Sequence, residues 1–175
     1  NKGKHPINCI DYAAALAVCQ NSGKRLPTEA EWEKASRGGC EIWAPKCATA
    51  TPTYPWAKPG ANCGFTVMKG NSKAGCDLGS TRSVGTMAKD ISPYGVRDMG
   101  GNVSEWVADG YDPQWYGKSP KSGPQAPPAA QRVVRGGSLF SAAVEVRAGN
   151  RQAFPDATKT AGIGVRCVAD LPQKP

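Results

Sequence analysis

The chain has 175 residues, of which 21 are Gly and 15 are Pro, and this high share of turn-forming residues predicts a loop-rich fold and argues against a helix bundle. The formal net charge is +8, but the basic residues are scattered, with no run longer than Lys24-Arg25, which excludes a clustered nucleic-acid-binding stripe. No apolar run is long enough to span a membrane. The length suits one folded unit, and we interpret residues 1–175 as a single domain.

Seven cysteines indicate disulfide bonds. The Cys-x-x-Cys spacing of a zinc site is absent, and cytosolic proteins rarely carry so many cysteines without a metal. We therefore expect a secreted or extracytoplasmic protein, in the periplasm or at the cell surface, with one thiol left over. The cysteines are Cys9, Cys19, Cys40, Cys47, Cys63, Cys76 and Cys167. The single histidine, His5, excludes a His-rich metal site and any Ser-His-Asp triad that does not use it.

Two helices are predicted near the start of the chain. The first covers residues 11–22, with Asp11 as its N-cap and one apolar face. That face consists of Tyr12, Ala15, Leu16 and Cys19. The second covers residues 28–37 and begins with a capping box, in which Thr28 and Glu31 each accept a main-chain N–H of the other residue.

The rest of the chain predicts loops and short strands. Residues 40–97 show no helical period, and residues 112–131 read as a surface loop. Strands are predicted at 103–108, 132–139, 144–148 and 162–168. Two helices followed by short antiparallel strands make an α+β arrangement.

Four sequence blocks in this order resemble the formylglycine-generating enzyme, or sulfatase-modifying factor, family. The blocks are GKRLPTEAEWE (23–33), YGVRDMGGNVSEW (94–106), RVVRGGS (132–138) and GIGVRC (162–167). The resemblance covers residues 6–170. It implies a modified C-type lectin fold with little regular secondary structure and with calcium as a stabilising ion.

The resemblance also implies that an N-terminal portion of the family domain is missing from this chain. Cys9 is then the candidate for the odd thiol, paired with the missing segment or with another subunit. The alternative is a buried free cysteine that packs as a small apolar residue.

The family pattern implies a disulfide between Cys19 and Cys167. The four remaining cysteines allow three pairings. We favour Cys40–Cys47 and Cys63–Cys76 because short loops close most readily.

Two calcium sites are implied by the resemblance, so one or two calcium ions are expected. The first set comprises Asn102, Glu105, Gly100, Gly101 and Val103. The second set comprises Asn62, Asp77, Cys63 and Gly79. Side-chain and carbonyl oxygens are the ligands that calcium takes. The alternative role of Asn102 and Glu105 is turn formation with a cap.

Enzymatic activity of the family type is not expected. The family's oxidases bind copper(I) with two cysteines shortly after the Gly-Gly-Ser motif, and neither is present here, so no copper is expected. Ser141 stands about where the first cysteine would be. Ser138 and Trp106 match residues near the family's oxygen pocket, with strand packing and core filling as their alternative roles. The family's iron-dependent branch needs three histidines, which this chain lacks.

A third branch of the family displays a ligand-binding surface before the last strand. The matching residues here are Phe140, Ser141, Arg147, Asn150, Arg151 and Phe154. The alternative is that Phe140 is part of the core and that Arg147 and Arg151 pair with Asp156 or Glu145.

We therefore expect a non-catalytic, calcium-stabilised, extracytoplasmic binding or assembly module. Its partner would be a protein or surface ligand, the missing N-terminal segment or another subunit, and neither nucleic acid nor a membrane span is expected. The alternatives are a family oxidoreductase with an altered active site and a structural subunit of a surface filament or complex.

Overall fold

A four-stranded sheet organises the fold. The computed structural model describes residues 2–45, 52–58 and 60–170. The strands of these ranges are β1 (Ser104–Gly110), β2 (Gln131–Arg135), β3 (Arg151–Pro155) and β4 (Ile163–Val165). They lie in the order β3-β2-β1-β4, so the longest strand, β1, has a partner on both edges.

The strand directions differ in part from the predicted antiparallel arrangement. β1 pairs antiparallel with β2, and β2 pairs antiparallel with β3. β4 pairs parallel with β1, with Ser104 opposite Ile163 and Trp106 opposite Val165. β4 reaches β1 through a long connection, so no tight hairpin turn fixes its direction.

Both predicted helices are present. They are α1 (Tyr12–Asn21) and α2 (Glu29–Arg37). The Asp11 side chain accepts the Ala14 N–H at 2.8 Å, as an N-cap does. At α2 the Thr28 and Glu31 capping box is complete in both directions. The polar N-terminal signals in the sequence therefore set where each helix begins.

The two helices cover opposite faces of the sheet. Trp106 packs with Ala15 and Cys19 of α1 in one apolar cluster. Its neighbour Val107 packs with Trp32 of α2 in a second cluster. Because successive strand residues point to opposite faces, both faces of β1 are buried.

Some predicted elements have different bounds or a different type. The predicted strand at 144–148 is wrong: residues Ala143–Val146 form a 3₁₀ turn. The Glu145 carboxylate accepts the Ala142 N–H at 2.7 Å, which favours the turn. The strand of this region is instead β3, which was not predicted. Two single-turn helices, α3 (Cys40–Trp43) and α4 (Trp115–Lys118), lie in segments predicted as loops.

Disulfides join distant parts of the chain. Cys19 and Cys167 are bonded across 148 residues, which ties α1 to the segment after β4. Cys63 and Cys76 are bonded across 13 residues. Cys40 takes part in a disulfide, and its predicted partner Cys47 lies outside the described residues. No described helix has the length and apolarity that a membrane crossing requires.

We expect the Cys19–Cys167 bond to stabilise the fold more than the Cys63–Cys76 bond. Loop-closure entropy gives about 5 kcal/mol for the first and about 3 kcal/mol for the second. Urea denaturation of the Cys19→Ala/Cys167→Ala and Cys63→Ala/Cys76→Ala double variants measures both losses. An equal or larger loss in the second variant would contradict this ranking.

Candidate functional site

The buried carboxylate of Glu105 lies at the centre of the candidate site. Glu105 is held in β1 between Arg135 of β2 and Gly164 of β4. It is only 4% exposed. Its oxygens accept hydrogen bonds from the Trp32 indole N–H at 2.7 Å and from the Arg166 guanidinium at 2.8–3.1 Å. The opposite charge of Arg166 makes it possible to bury this carboxylate.

Arg166 extends this ion pair to the neighbouring turn. Its Nη2 donates to the carbonyl oxygens of Arg97 at 3.0 Å and Asp98 at 3.3 Å. Burial alone would lower the pKa of Arg166, but the Glu105 carboxylate outweighs that effect and the pKa is raised. The guanidinium therefore stays charged and joins the turn to the sheet.

The turn before β1 depends on close main-chain packing. A Cβ on Gly101 would lie 2.4 Å from the Thr66 hydroxyl and from the Val67 carbonyl oxygen, so only glycine fits. Asn102 is 3% exposed. Its side chain accepts the Arg82 N–H at 3.0 Å and donates to the Arg82 carbonyl oxygen at 3.1 Å. Asn102 thus helps to hold the turn, and its role as a calcium ligand stays a prediction.

The oxygen-bearing residues of the first predicted calcium set surround one open cavity of about 350 Å³. The members of the set that line it are Gly101, Asn102, Val103 and Glu105. Gly100 is not among the residues that line this cavity.

Asp98 lines the same cavity and was not selected from the sequence. Its carboxylate accepts the Gly85 N–H at 2.5 Å. Glu105 is neutralised by its ion pair with Arg166. Asp98 has no ion-pair partner within the described ranges, so its negative charge is the one available to a cation. Carboxylate and carbonyl oxygens are the donors that calcium prefers, but Arg97 and Arg166 line the same cavity and place positive charge beside them. Asp98 lies two residues before the Gly-Gly-Asn turn in the sequence, and this position could have marked it as a candidate ligand.

The second predicted calcium set lies on an open cavity of about 450 Å³. Its lining includes Asn62, Cys63 and Asp77. The Lys73 and Ser72 N–H groups each donate to the Asp77 carboxylate at 2.7 Å and lower the pKa of Asp77. Gly79 is not among the residues that line this cavity, and its N–H donates to the Ala74 carbonyl oxygen at 2.9 Å.

Any metal held here would depend on amide and carbonyl oxygens as well as carboxylates. Among residues 2–45, 52–58 and 60–170, no three or more His, Cys, Asp and Glu side chains are grouped to hold a metal ion. Calcium tolerates such mixed oxygen donors, whereas zinc and copper select nitrogen and sulfur.

The segment after the Gly-Gly-Ser motif is a tight turn. Ser141 is 5% exposed, and its hydroxyl oxygen accepts the Ser138 N–H at 3.1 Å. The Ser138 hydroxyl oxygen accepts the Phe140 N–H at 3.2 Å. Trp106 is fully buried and donates its indole N–H to the Ile10 carbonyl oxygen at 3.1 Å. Both serines and the tryptophan therefore have packing roles.

The residues of the predicted recognition surface do not all lie on the surface of the protein. Phe140 is 51% exposed, so it is not part of the core. Arg147 is exposed, and its Nε donates to the Val144 carbonyl oxygen at 2.7 Å. Ser141 does not belong to this surface because its side chain is buried in the turn.

The other three predicted surface residues serve the fold. Arg151 donates to both oxygens of Glu29 at 2.6 and 2.8 Å, not to Asp156 or Glu145 as the sequence alternative had it. Asn150 donates its amide N–H to the Glu145 carbonyl oxygen at 2.9 Å. Phe154 packs against the cluster around Trp106. Sequence spacing alone did not show which side chains at and beside β3 make contacts within the fold.

Cys9 is exposed and is the free thiol among the described cysteines. The alternative of a buried cysteine is therefore wrong. Its main-chain N–H donates to the Thr160 carbonyl oxygen at 3.1 Å, which fixes the segment beside the residues before β4.

Asp90 is a buried acid that the sequence analysis missed. It is 0% exposed. One carboxylate oxygen accepts the Thr66 hydroxyl at 2.5 Å and the Gly100 N–H at 3.3 Å, and the other has no hydrogen-bond partner. Burial raises the pKa of Asp90 to about 6, and the nearby Asp98 carboxylate adds to this shift.

Comparison with known proteins supports a family assignment. A family profile described as "Sulfatase-modifying factor enzyme 1-like domain" matches residues 1–171. The formylglycine-generating enzyme of Mycobacterium tuberculosis is 33% identical over 187 residues, which cover 97% of this chain and 59% of that protein. The serine/threonine-protein kinase pkn1 of Chlamydia pneumoniae is 34% identical over 172 residues, covering 96% of this chain and 24% of that protein. The chain thus spans only part of these relatives.

Solved structures share the fold. PvdO from Pseudomonas aeruginosa superposes with a TM-score of 0.68 at 24% identity, covering 93% of this chain and 60% of that one. Treponema denticola variable protein 1 gives a TM-score of 0.70 at 22% identity, covering 94% of this chain and 71% of that one. The α+β, C-type-lectin-like fold expected from the sequence is therefore confirmed.

We expect Asp90→Asn to stabilise the protein by on the order of 2 kcal/mol at about pH 7.5, because a charged carboxylate is no longer buried. The folded protein binds the Asp90 proton more tightly than the unfolded chain does. The native protein therefore gains stability from this group as the pH falls through about 6 towards 3.8. The advantage of the variant should shrink over the same range, as urea denaturation at each pH would show.

Asp109→Asn is the matched control. Asp109 is also fully buried, but its two oxygens each accept a main-chain N–H at 2.7 Å, from Glu29 and Ala126. An amide NH₂ there would face a donor, so this variant should be destabilised. A destabilised Asp90→Asn variant, or one whose advantage does not change with pH, would contradict the argument.

Proposed function

Because the chain belongs to the sulfatase-modifying factor enzyme 1-like domain family, we propose that it is a calcium-stabilised, extracytoplasmic binding or assembly module and not a copper-dependent oxidase. The observation that carries the proposal is the segment after the Gly-Gly-Ser motif. It has no cysteine between Ser138 and Arg166, and Ser141 is buried in a tight turn with its hydroxyl bonded to Ser138.

Copper(I) chemistry requires soft ligands, and a hydroxyl does not replace a thiolate in that role. The free thiol of the described cysteines is Cys9, and one thiol does not make a pair. Trp106 and Ser138 are occupied by packing contacts and a turn hydrogen bond. The residues that match the oxidases' active site therefore serve the fold.

Two cavities carry carboxylate, amide or carbonyl oxygens that calcium can take as ligands. Asp98, Glu105 and the carbonyl oxygens of the turn would hold the first ion, and Asn62 and Asp77 would contribute to a second. When bound, calcium would supply fixed positive charge that links loops lacking regular secondary structure. Asp98 is the strongest candidate ligand, because Arg166 already compensates the Glu105 charge.

A binding role at an oxidising location is supported by exposed groups and by the disulfides. Phe140 and Val144 are 51% and 56% exposed, on the segment that the family uses for ligand display. The Cys19–Cys167 and Cys63–Cys76 bonds favour an extracytoplasmic compartment. The exposed Cys9 thiol offers a point of attachment for another segment or subunit. We infer that the partner is a protein or surface ligand.

Elemental analysis of the dialysed protein tests this proposal. We expect one or two calcium ions per chain and no copper, and a thermal midpoint that rises with added calcium. Asp98→Asn should weaken calcium binding by about tenfold or more, because it removes a charged ligand. Titration calorimetry with calcium chloride measures that change.

Asp170→Asn is the control, because Asp170 is an exposed carboxylate that lines neither cavity. It should bind calcium as the unaltered chain does. Stoichiometric copper, or oxidation of cysteine peptides by the purified protein, would overturn the non-catalytic assignment. Failure to bind calcium would overturn the stabilising role of the ion.

A further inference from the structure

We propose that Arg37 and Arg147 form a binding site for a tetrahedral oxyanion, a phosphate or sulfate group. Both arginines line one open cavity of about 220 Å³. The other described residues of its lining are Pro52, Thr53 and Gly149. No carboxylate is among these described lining residues, so the two guanidinium groups determine the charge of the cavity.

Arg37 reaches the cavity with half of its guanidinium unused. Its Nη1 donates to the Glu33 carboxylate at 2.7 Å, one turn earlier on α2. Its Nε is buried and has no hydrogen-bond partner. Leaving a buried charged donor unpaired is costly. The Nη2 group has no partner among the described residues and is not buried, so it is the part of the Arg37 guanidinium that remains for an oxygen of a phosphate or sulfate.

Arg147 offers its two terminal guanidinium nitrogens to the cavity. Its Nε donates to the Val144 carbonyl oxygen at 2.7 Å. That bond folds the side chain back onto the 3₁₀ turn and restricts its freedom. The two terminal nitrogens have no partner within the described ranges and remain available to an anion.

The fold brings the two arginines together from separate elements. Arg37 is the last residue of α2, and Arg147 directly follows the 3₁₀ turn. The Ala148 N–H donates to the Thr53 carbonyl oxygen at 2.9 Å, which fixes the Thr53 segment beside Arg147. Thr53 thereby stays in the lining of the cavity.

The charges around the cavity favour an anion. Glu33 is shared between Arg37 and Arg135, with which it forms a 2.6 Å ion pair, so its charge is already compensated. The Glu145 carboxylate accepts the Ala142 N–H. The net charge of +8 attracts anions from a distance. A single oxyanion is smaller than the cavity, which leaves room for the remainder of a small monoester. The site does not depend on calcium or on the absence of catalysis.

Calorimetric titration with sodium phosphate, sodium sulfate and phenyl phosphate tests the proposal, with ionic strength held constant by sodium chloride. We expect saturable binding that chloride alone does not produce. Arg147→Gln should weaken it by about tenfold or more, because it removes a charged, two-pronged donor. Arg147 is exposed, so this variant should keep its fold and its thermal midpoint in chloride.

Lys24→Gln is the control of equal charge change, because Lys24 is exposed and lines none of these cavities. It should bind each anion as the unaltered chain does. Binding of free phosphate or sulfate but not of phenyl phosphate would assign the site to an inorganic ion. Equal or tighter binding of phenyl phosphate would assign it to a monoester. Either result supports the site. No binding beyond the chloride reference, or equal weakening in both variants, would overturn it.

Discussion

The interior of this protein is organised around a charge that must be neutralised away from water. The Glu105 carboxylate receives the Trp32 indole from α2 and the Arg166 guanidinium from beyond β4. Arg166 in turn binds two carbonyl oxygens of the preceding turn. Removing Arg166 would leave the Glu105 carboxylate buried and uncompensated, which is far more costly than never burying the pair. One helix, two strands and one turn are therefore held in a single relative position.

Local signals were sufficient to predict the helices and the site's main turn. Asp11 and the Thr28–Glu31 capping box mark helix starts through contacts only a few residues apart. The Gly-Gly-Asn turn is likewise fixed by what fits next to it, since Gly101 admits no side chain. The helix starts depend on residues a few positions apart, and the glycines of the turn mark it directly, so these features are readable in the sequence.

The remaining features depend on contacts between distant residues. Arg151 pairs with Glu29, 122 residues away, and no spacing rule gives that partner. Asp90 and Asp98 became candidates only when the fold placed them beside Thr66 and a cavity. Side-chain direction in irregular loops is set by tertiary packing, which the linear pattern does not encode.

The Cys19–Cys167 bond has a consequence for how the protein tolerates cleavage. Nearly all of the chain lies inside the loop that this bond closes, including every described strand. A protease that cuts one peptide bond within that loop leaves both fragments covalently joined through sulfur. The nicked protein would therefore migrate as one species until it is reduced, and its sheet would keep all of its strands. Exposed loops inside this closed loop can therefore be cut without separating the two fragments.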